Sequence, residues 1–195
     1  MTGTIPVHGT LSAMFSTVFY RQMRPAFDAL DLGAGSEGSG HGPLASLASR
    51  VRRVIAVDVC ARPANLPGNV EWEQESIEDW LRDRSFFPSD SFHAIVARNV
   101  LHFLDRDLVL DALLPEIRES LFPGGIVAIA TFHLQPNPPV DPPYPSLFRL
   151  ADLRRAFPPR WNALLGVEET LRGPGHGDGV LRDWHTTQLV IRKPS

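Results

Sequence analysis

Residues 31–38 read DLGAGSEG and continue directly from an apolar run at residues 27–32. The run predicts a short buried strand, after which Gly33, Gly35 and Gly38 form the pattern GxGxxG. Glycines at this spacing let backbone amides approach a ligand closely, and the N-terminus of a following helix adds positive potential. The pattern alone leaves open a glycine-rich turn that binds no ligand.

A second stretch, RVIAVDV at residues 53–59, favours a ligand-binding loop over a turn that binds no ligand. Its β-branched run predicts a buried strand whose end carries Asp58, twenty residues after Gly38. A carboxylate there can accept hydrogen bonds from both hydroxyls of a ribose, which indicates a nucleoside cofactor. Asp31 lies two residues before Gly33, where it would crowd a pyrophosphate but suits an ammonium group. We therefore favour S-adenosylmethionine, with an NAD-linked enzyme as a weaker alternative.

Strand and helix patterns alternate along the rest of the chain, which indicates βαβ units. Further strands are predicted at 70–73, 92–97, 125–132, 161–169 and 185–192, and helices at 10–23, 43–49, 77–82, 104–121 and 147–157. Asp105 or Asp107 is the expected cap of the helix at 104–121. The predicted fold is α/β: a doubly wound, Rossmann-like, mostly parallel sheet of seven strands. Helices cover both faces, and the C-terminal edge strand is antiparallel because no helix joins the last two strands.

The chain has 195 residues, which suits one domain. We divide it into an N-terminal helical cap at 1–25, a cofactor-binding core at 26–132, a proline-rich lid with a helix at 133–160, and a C-terminal hairpin at 161–195. Six of the ten residues at 136–145 are proline, so this segment should be stiff and could form a lid or a surface linker.

Composition excludes several classes of function. The formal net charge is −3 and no basic stripe is present, so we expect no nucleic-acid partner. Cys60 is the only cysteine and no histidine pair has ligand spacing, so no disulfide or metal site is expected. No apolar run reaches the roughly 18 residues of a membrane span. The expected location is the cytoplasm, and a homodimer is left open.

Five stretches, in this order and spacing, resemble motifs of the class I S-adenosylmethionine-dependent methyltransferases of the small-molecule type. They are ALDLGAG (29–35), VIAVDV (54–59), NVEWEQESIEDW (69–80), FPSDSFHAIVARNVLHFL (87–104) and LFPGGIVAIATF (121–132). The resemblance implies S-adenosyl-L-methionine as cofactor and methyl transfer to a small-molecule acceptor by in-line displacement. The sequence departs from the family motifs at Glu37, Ser76 and His93. These departures leave an alternative hypothesis, a catalytically inactive regulatory protein that binds S-adenosylmethionine or S-adenosylhomocysteine.

The resemblance also implies roles for particular residues. Those at the methionine part of the cofactor are Asp31, Gly33 and Gly35, with Gly38 further along the same loop. Asp58 would bind the ribose, and the residues near the adenine are Val59, Ser76 and Ile77. Arg98 and Asn99 would lie near the amino-acid end of the cofactor.

Three histidines are candidate acid/base or substrate-orienting residues. Ligands of open parallel sheets lie beyond the carboxyl ends of the strands. His102 follows the fourth strand, His133 follows the fifth, and His176 lies in the glycine-rich connection after the sixth. Each has a plain alternative: His102 as a packed residue at a helix start, His133 as a border of the proline segment, and His176 as an exposed loop residue. The stripe of Phe15, Phe19 and Tyr20 in the first helix either covers the cofactor or only packs in the core.

Overall fold

The apolar runs of the sequence form seven strands in a computed structural model that describes residue 15 and residues 17–35, 43–82, 89–174 and 180–195. The strands are β1 (Asp28–Leu32), β2 (Arg53–Asp58), β3 (Val70–Gln74), β4 (Phe92–Arg98), β5 (Leu121–Phe132), β6 (Asn162–Pro174) and β7 (Leu181–Arg192). The helices are α1 (Pro43–Ala48), α2 (Ile77–Arg82), α3 (Leu114–Ser120) and α4 (Leu150–Arg155). Residues 15 and 17–20 are also helical, so the first helix ends before the predicted Met23.

All seven strands form one sheet in the order β3-β2-β1-β4-β5-β7-β6. The pairs among β1 to β5 are parallel, whereas β7 runs antiparallel to both β5 and β6. This arrangement confirms the predicted doubly wound sheet with its antiparallel C-terminal strand. The order reverses between β1 and β4, and such a switch point opens a crevice at the carboxyl ends of the strands.

Alternating residues of the strands build two hydrophobic cores on opposite faces of the sheet. The face that we call face A carries Ala29, Ala56 and Val96, and packs against α1 and the helical residues 15–20. Face B carries Leu30, Val57 and Ile95, and packs against α2, α3 and α4. Helices therefore cover both faces, as the alternation of strand and helix patterns predicted.

The predicted helix at 104–121 is present from residue 106 to residue 120, but it is not α-helical throughout. A 3₁₀ turn at Leu101–Phe103 and a π-helical segment at Leu108–Leu113 precede α3. Pro115 lies in the first turn of α3, where it cannot donate to a preceding carbonyl, and this favours a change of hydrogen-bond pattern upstream. The structure selects Asp105 as the cap, because its Oδ1 accepts hydrogen bonds from the amides of Asp107 (2.9 Å) and Leu108 (3.1 Å).

Strand β5 begins at Leu121 rather than at the predicted residue 125, and it contains an irregularity near its start. The pairing with β4 shifts there, from Phe92 opposite Leu121 to Ala94 opposite Ile126.

Strands β6 and β7 are also longer than predicted, because residues 170–174 and 181–184 extend the hairpin instead of forming a loop. The Nε1 of Trp184 donates a hydrogen bond to the Gly173 carbonyl oxygen (3.0 Å) and ties the two extensions together.

Candidate functional site

Three charged side chains meet at the carboxyl ends of β1, β2 and β4, beside the switch point. Asp31, Asp58 and Arg98 keep the strand alternation of face A, so all three side chains belong to the same side of the sheet. Asp31 is opposite Val96 in the register of β1 and β4. The structure thus brings together the residues that the sequence predicted for the ribose and for the amino-acid end of a cofactor.

Asp31 is almost completely buried, with 2% of its surface exposed. Burial raises the pKa of its carboxyl to about 6; the positive charge of Arg98 opposes this increase and the negative charge of Asp58 adds to it. A buried carboxylate of this kind is costly unless a cation is near it. The ammonium group of an amino acid would provide such a cation.

Asp58 organises the turn between β1 and the glycine-rich loop. Its Oδ2 accepts a hydrogen bond from the amide of Gly35 and its Oδ1 accepts one from the amide of Cys60, both at 2.8 Å. A carboxylate has about four lone-pair positions, so each oxygen retains the capacity to accept a hydroxyl hydrogen. Val59, next in sequence, is 67% exposed and offers an apolar surface beside that carboxylate.

The two described glycines of the loop have different physical reasons to be glycine. Gly33 (φ +68°) has no room for a side chain, because a Cβ would lie 2.4 Å from the Cβ of Val100. Its amide is also used, donating to the Val57 carbonyl oxygen at 2.9 Å. Gly35 (φ +78°) faces open space, because no atom of the described residues lies within 4 Å of the position of a Cβ. Gly35 is therefore the one that leaves room for a ligand, and Gly38 lies outside the described residues.

Arg98 and Asn99 form the turn at the end of β4. Asn99 has a positive φ of 53°, which asparagine tolerates better than most residues, and its amide donates to the Ala130 carbonyl oxygen at 2.8 Å. This turn places the positive charge of Arg98 close enough to lower the pKa of Asp31, against the larger effect of burial. The placement agrees with a role at the amino-acid end of a cofactor, which stays a prediction.

The side chains of Ser76 and Ile77 are engaged elsewhere. The Ser76 hydroxyl donates to Asp79 Oδ2 (2.8 Å) and accepts from the Asp79 amide (3.0 Å), so it caps α2. Ile77 is 4% exposed and belongs to the core of face B. An adenine contact at these two positions, as the sequence predicted, would therefore have to come from the backbone.

His102 lies in an aromatic cluster formed with Phe103, Phe132, Tyr144 and Trp184. Its ring centroid is 4.1 Å from that of Phe103, 4.6 Å from Phe132 and 4.3 Å from Tyr144. The cluster follows the carboxyl ends of β4 and β5, and Phe103 is exposed at its edge. His102 is thus near the predicted site but packed, with 1% of its surface exposed.

The structure does not bring His133 beside Asp31 and Arg98, so its predicted acid/base role stays a prediction. Its Nδ1 lies 3.2 Å from the Thr187 hydroxyl oxygen and its ring centroid 5.9 Å from that of His185. Thr187 keeps the strand alternation of Leu189, which belongs to the core of face B, so His133 points away from Asp31 and Arg98. Burial lowers its pKa. His176 lies outside the described residues.

The sequence did not predict the contacts that the Tyr20 side chain makes. Its hydroxyl donates to the Pro43 carbonyl oxygen at 2.9 Å, and the guanidinium carbon of Arg50 lies 5.3 Å from its ring centroid. The helical spacing of the aromatic stripe was a signal for burial of this helix. It carried no information about which residues, far away in sequence, the hydroxyl would contact.

Comparison with known proteins agrees with this geometry. A family model described as a methyltransferase domain matches residues 30–129. A protein named "Methyltransferase" from Claviceps purpurea (strain 20.1) is 34% identical over 100 residues, which are 49% of this chain and 30% of that protein. The chain therefore spans about a third of the length of this curated relative.

Solved structures share the fold across the whole chain. The N-methyltransferase NodS from Bradyrhizobium japonicum WM9, in complex with S-adenosyl-L-homocysteine, superposes with a TM-score of 0.64 at 15% identity, covering 99% of this chain and 90% of NodS. The 1,6-didemethyltoxoflavin-N1-methyltransferase from Burkholderia thailandensis, with bound 1,6-didemethyltoxoflavin and S-adenosylhomocysteine, has a TM-score of 0.55 at 20% identity, covering 97% and 77%.

The chain belongs to the class I S-adenosylmethionine-dependent methyltransferase family. This confirms the family, and with it the cofactor type, that the five motifs predicted. It also decides against the NAD-linked alternative. In the described part of the chain, no helix has both the length and the apolar character needed to cross a membrane.

Proposed function

We propose that this protein transfers a methyl group from S-adenosylmethionine to a small-molecule acceptor by in-line displacement. The observation that carries the proposal is the Asp58 carboxylate, held by the Gly35 and Cys60 amides at the mouth of the switch point. The buried Asp31 and the adjacent Arg98 support it, because together they provide opposite charges for a zwitterionic amino-acid end.

When bound, S-adenosylmethionine supplies an activated methyl group on a sulfonium sulfur. The work of the chain is then to bind, to orient and to exclude water. Asp58 would hold the ribose, with Val59 beside the adenine, and Asp31 would hold the ammonium group. His102 would line the acceptor side from the aromatic cluster, and His176 stays a predicted contact of the acceptor.

A small molecule is the acceptor class that the features of this chain favour. The net charge is −3 and no basic stripe provides a footprint for nucleic acid. The related Burkholderia thailandensis enzyme holds a small molecule, 1,6-didemethyltoxoflavin, together with S-adenosylhomocysteine. A cytoplasmic location and a homodimer are further predictions that stay with this proposal.

Calorimetric titration with S-adenosylhomocysteine tests the proposal. We expect binding by the wild-type protein and a loss of roughly 100-fold in affinity for Asp58→Ala, because a buried diol loses its charged acceptor. Glu71→Ala is the matched control, since Glu71 is an exposed acid that pairs with Arg53 on the neighbouring strand.

No binding at millimolar ligand would overturn the proposal. Binding together with methylation of an added acceptor, absent in Asp58→Ala, would exclude the alternative of an inactive binding protein.

A further inference from the structure

Gln188 is a glutamine within β7 whose side chain is buried on face A of the sheet. It keeps the strand alternation of Val190, a member of the face A core, and 1% of its surface is exposed. Within the part of the chain that the structure describes, its Oε1 has no hydrogen-bond partner. A buried acceptor without a partner is costly, and native proteins retain few of them. The unused oxygen therefore indicates a donor that comes from outside the chain.

The register of the sheet places Gln188 next to the candidate site. Gln188 lies opposite Ala130 on β5, and Ala130 lies opposite Arg98 on β4, so the three residues form one row across face A. Because adjacent strands are about 5 Å apart, the backbones of Gln188 and Arg98 are about 10 Å apart. Ala130 is 7% exposed, whereas Ala128, one row nearer the start of β5, is fully buried. Face A therefore opens at the row that contains Gln188.

Aromatic side chains occupy the next row toward the carboxyl end of β5. Phe132 keeps the alternation of Ala130, and its ring stacks on that of Tyr144 with centroids 5.1 Å apart and an interplanar angle of 1°. Trp184 lies on the same face of β7 as Gln188, with its ring centroid 5.6 Å from that of Phe132. A flat apolar surface next to a single hydrogen-bond acceptor suits an aromatic molecule with one polar hydrogen.

We propose that Gln188 selects the methyl acceptor by accepting a hydrogen bond from an N–H or O–H group on an aromatic or heteroaromatic ring. This proposal rests on the proposed function and names its acceptor class. An aromatic ether has no hydrogen to donate to Oε1, so it would leave the buried oxygen unpaired and should bind poorly. Gln188 only holds the acceptor in position, because its amide neither takes up nor releases a proton.

Thermal unfolding of two glutamine variants tests whether Gln188 serves a ligand or the fold. Gln188→Met fills a similar space without an amide, so the melting temperature of the ligand-free protein should rise by about 3 °C. Gln135→Met is the matched control. The Nε2 of Gln135 donates to the Tyr144 carbonyl oxygen (2.8 Å) and its Oε1 accepts from the Tyr144 amide (3.1 Å). Loss of both bonds should lower the melting temperature by about 5 °C.

Binding of phenol and anisole to the complex with S-adenosylhomocysteine tests the acceptor class. Phenol carries a hydroxyl hydrogen, and anisole has a methyl group in its place. In a ligand-detected NMR titration, we expect the wild-type protein to bind phenol at least about tenfold more tightly than anisole. Gln188→Met should bind the two compounds within about twofold of each other and should bind S-adenosylhomocysteine as the wild type does.

A Gln188→Met protein that loses as much stability as Gln135→Met, or the same preference for phenol in variant and wild type, would overturn this proposal. A wild-type protein that binds S-adenosylhomocysteine but not phenol would also overturn it, and the proposed function would then stand. A wild-type protein that does not bind S-adenosylhomocysteine would overturn both.

Discussion

Asp31→Asn is expected to make the ligand-free protein more stable and, at the same time, nearly unable to bind S-adenosylhomocysteine. Burial raises the pKa of Asp31 to about 6, from 3.8, so the ionised side chain destabilises the native state at neutral pH. Linkage converts this difference to at most about 3 kcal/mol of unfolding free energy. Asparagine removes that cost, but it cannot pair with the ammonium group, which should lower affinity by about 100-fold.

The stability difference between Asp31→Asn and wild type should change with pH in a defined direction. Between pH 4 and 6 the native state retains a proton on Asp31 that the unfolded chain has lost. Stability contributed by the protonated group is therefore present below about pH 4 and lost as the pH rises through 6. Urea unfolding of both proteins across this range should show the advantage of Asp31→Asn growing with pH. Ligand affinity of the wild type should rise over the same range.

Asp28→Asn is a matched control on the same strand. Its hydrogen bond with Arg52 lowers the pKa of Asp28, so this variant should be slightly less stable than wild type and should bind the ligand normally. An Asp31→Asn protein less stable than wild type would contradict the cost assigned to the buried ionised carboxyl. Full ligand affinity in this variant would show that Asp31 does not carry a binding charge.

Gly33→Ala and Gly35→Ala should separate the two roles of glycine in the loop. Both residues have positive φ, where alanine costs roughly 1–2 kcal/mol. At Gly33 the new methyl group would also clash with Val100, which adds roughly 1–3 kcal/mol of overpacking. We expect Gly33→Ala to lose about 4 kcal/mol or fail to fold, and Gly35→Ala to lose about 1 kcal/mol.

The two glycine variants should rank differently in ligand affinity than in stability. The methyl group of Gly35→Ala enters the open space that we assign to the ligand, so affinity for S-adenosylhomocysteine should fall more than tenfold in a folded protein. Chemical denaturation and calorimetry on the same samples measure both effects. Equal destabilisation of the two variants, or full affinity in Gly35→Ala, would contradict the assignment.

Local sequence signals were sufficient for most of the fold. Buried parallel strands appear as β-branched runs, and the acid at the end of the run at 53–59 identified Asp58 before any geometry was known. The hairpin was underestimated, because its extensions at 170–174 and 181–184 depend on cross-strand pairing rather than on the pattern of either segment.

Contacts between distant segments could not be predicted. The position of His133 in sequence placed it after β5, but only the register with β7 shows that its ring faces Thr187 on the other side of the sheet. The same holds for Tyr20, whose hydrogen-bond partner Pro43 lies in another segment. Sequence patterns place residues on elements, whereas the tertiary arrangement decides which side chains meet.

A crystal structure with S-adenosylhomocysteine is the most direct test of the central claim. We expect both ribose hydroxyls within hydrogen-bond distance of the Asp58 oxygens, the ammonium group at Asp31, and the thioether sulfur facing the aromatic cluster. A complex in which the nucleoside binds elsewhere, with Asp58 bonded only to the Gly35 and Cys60 amides, would contradict it.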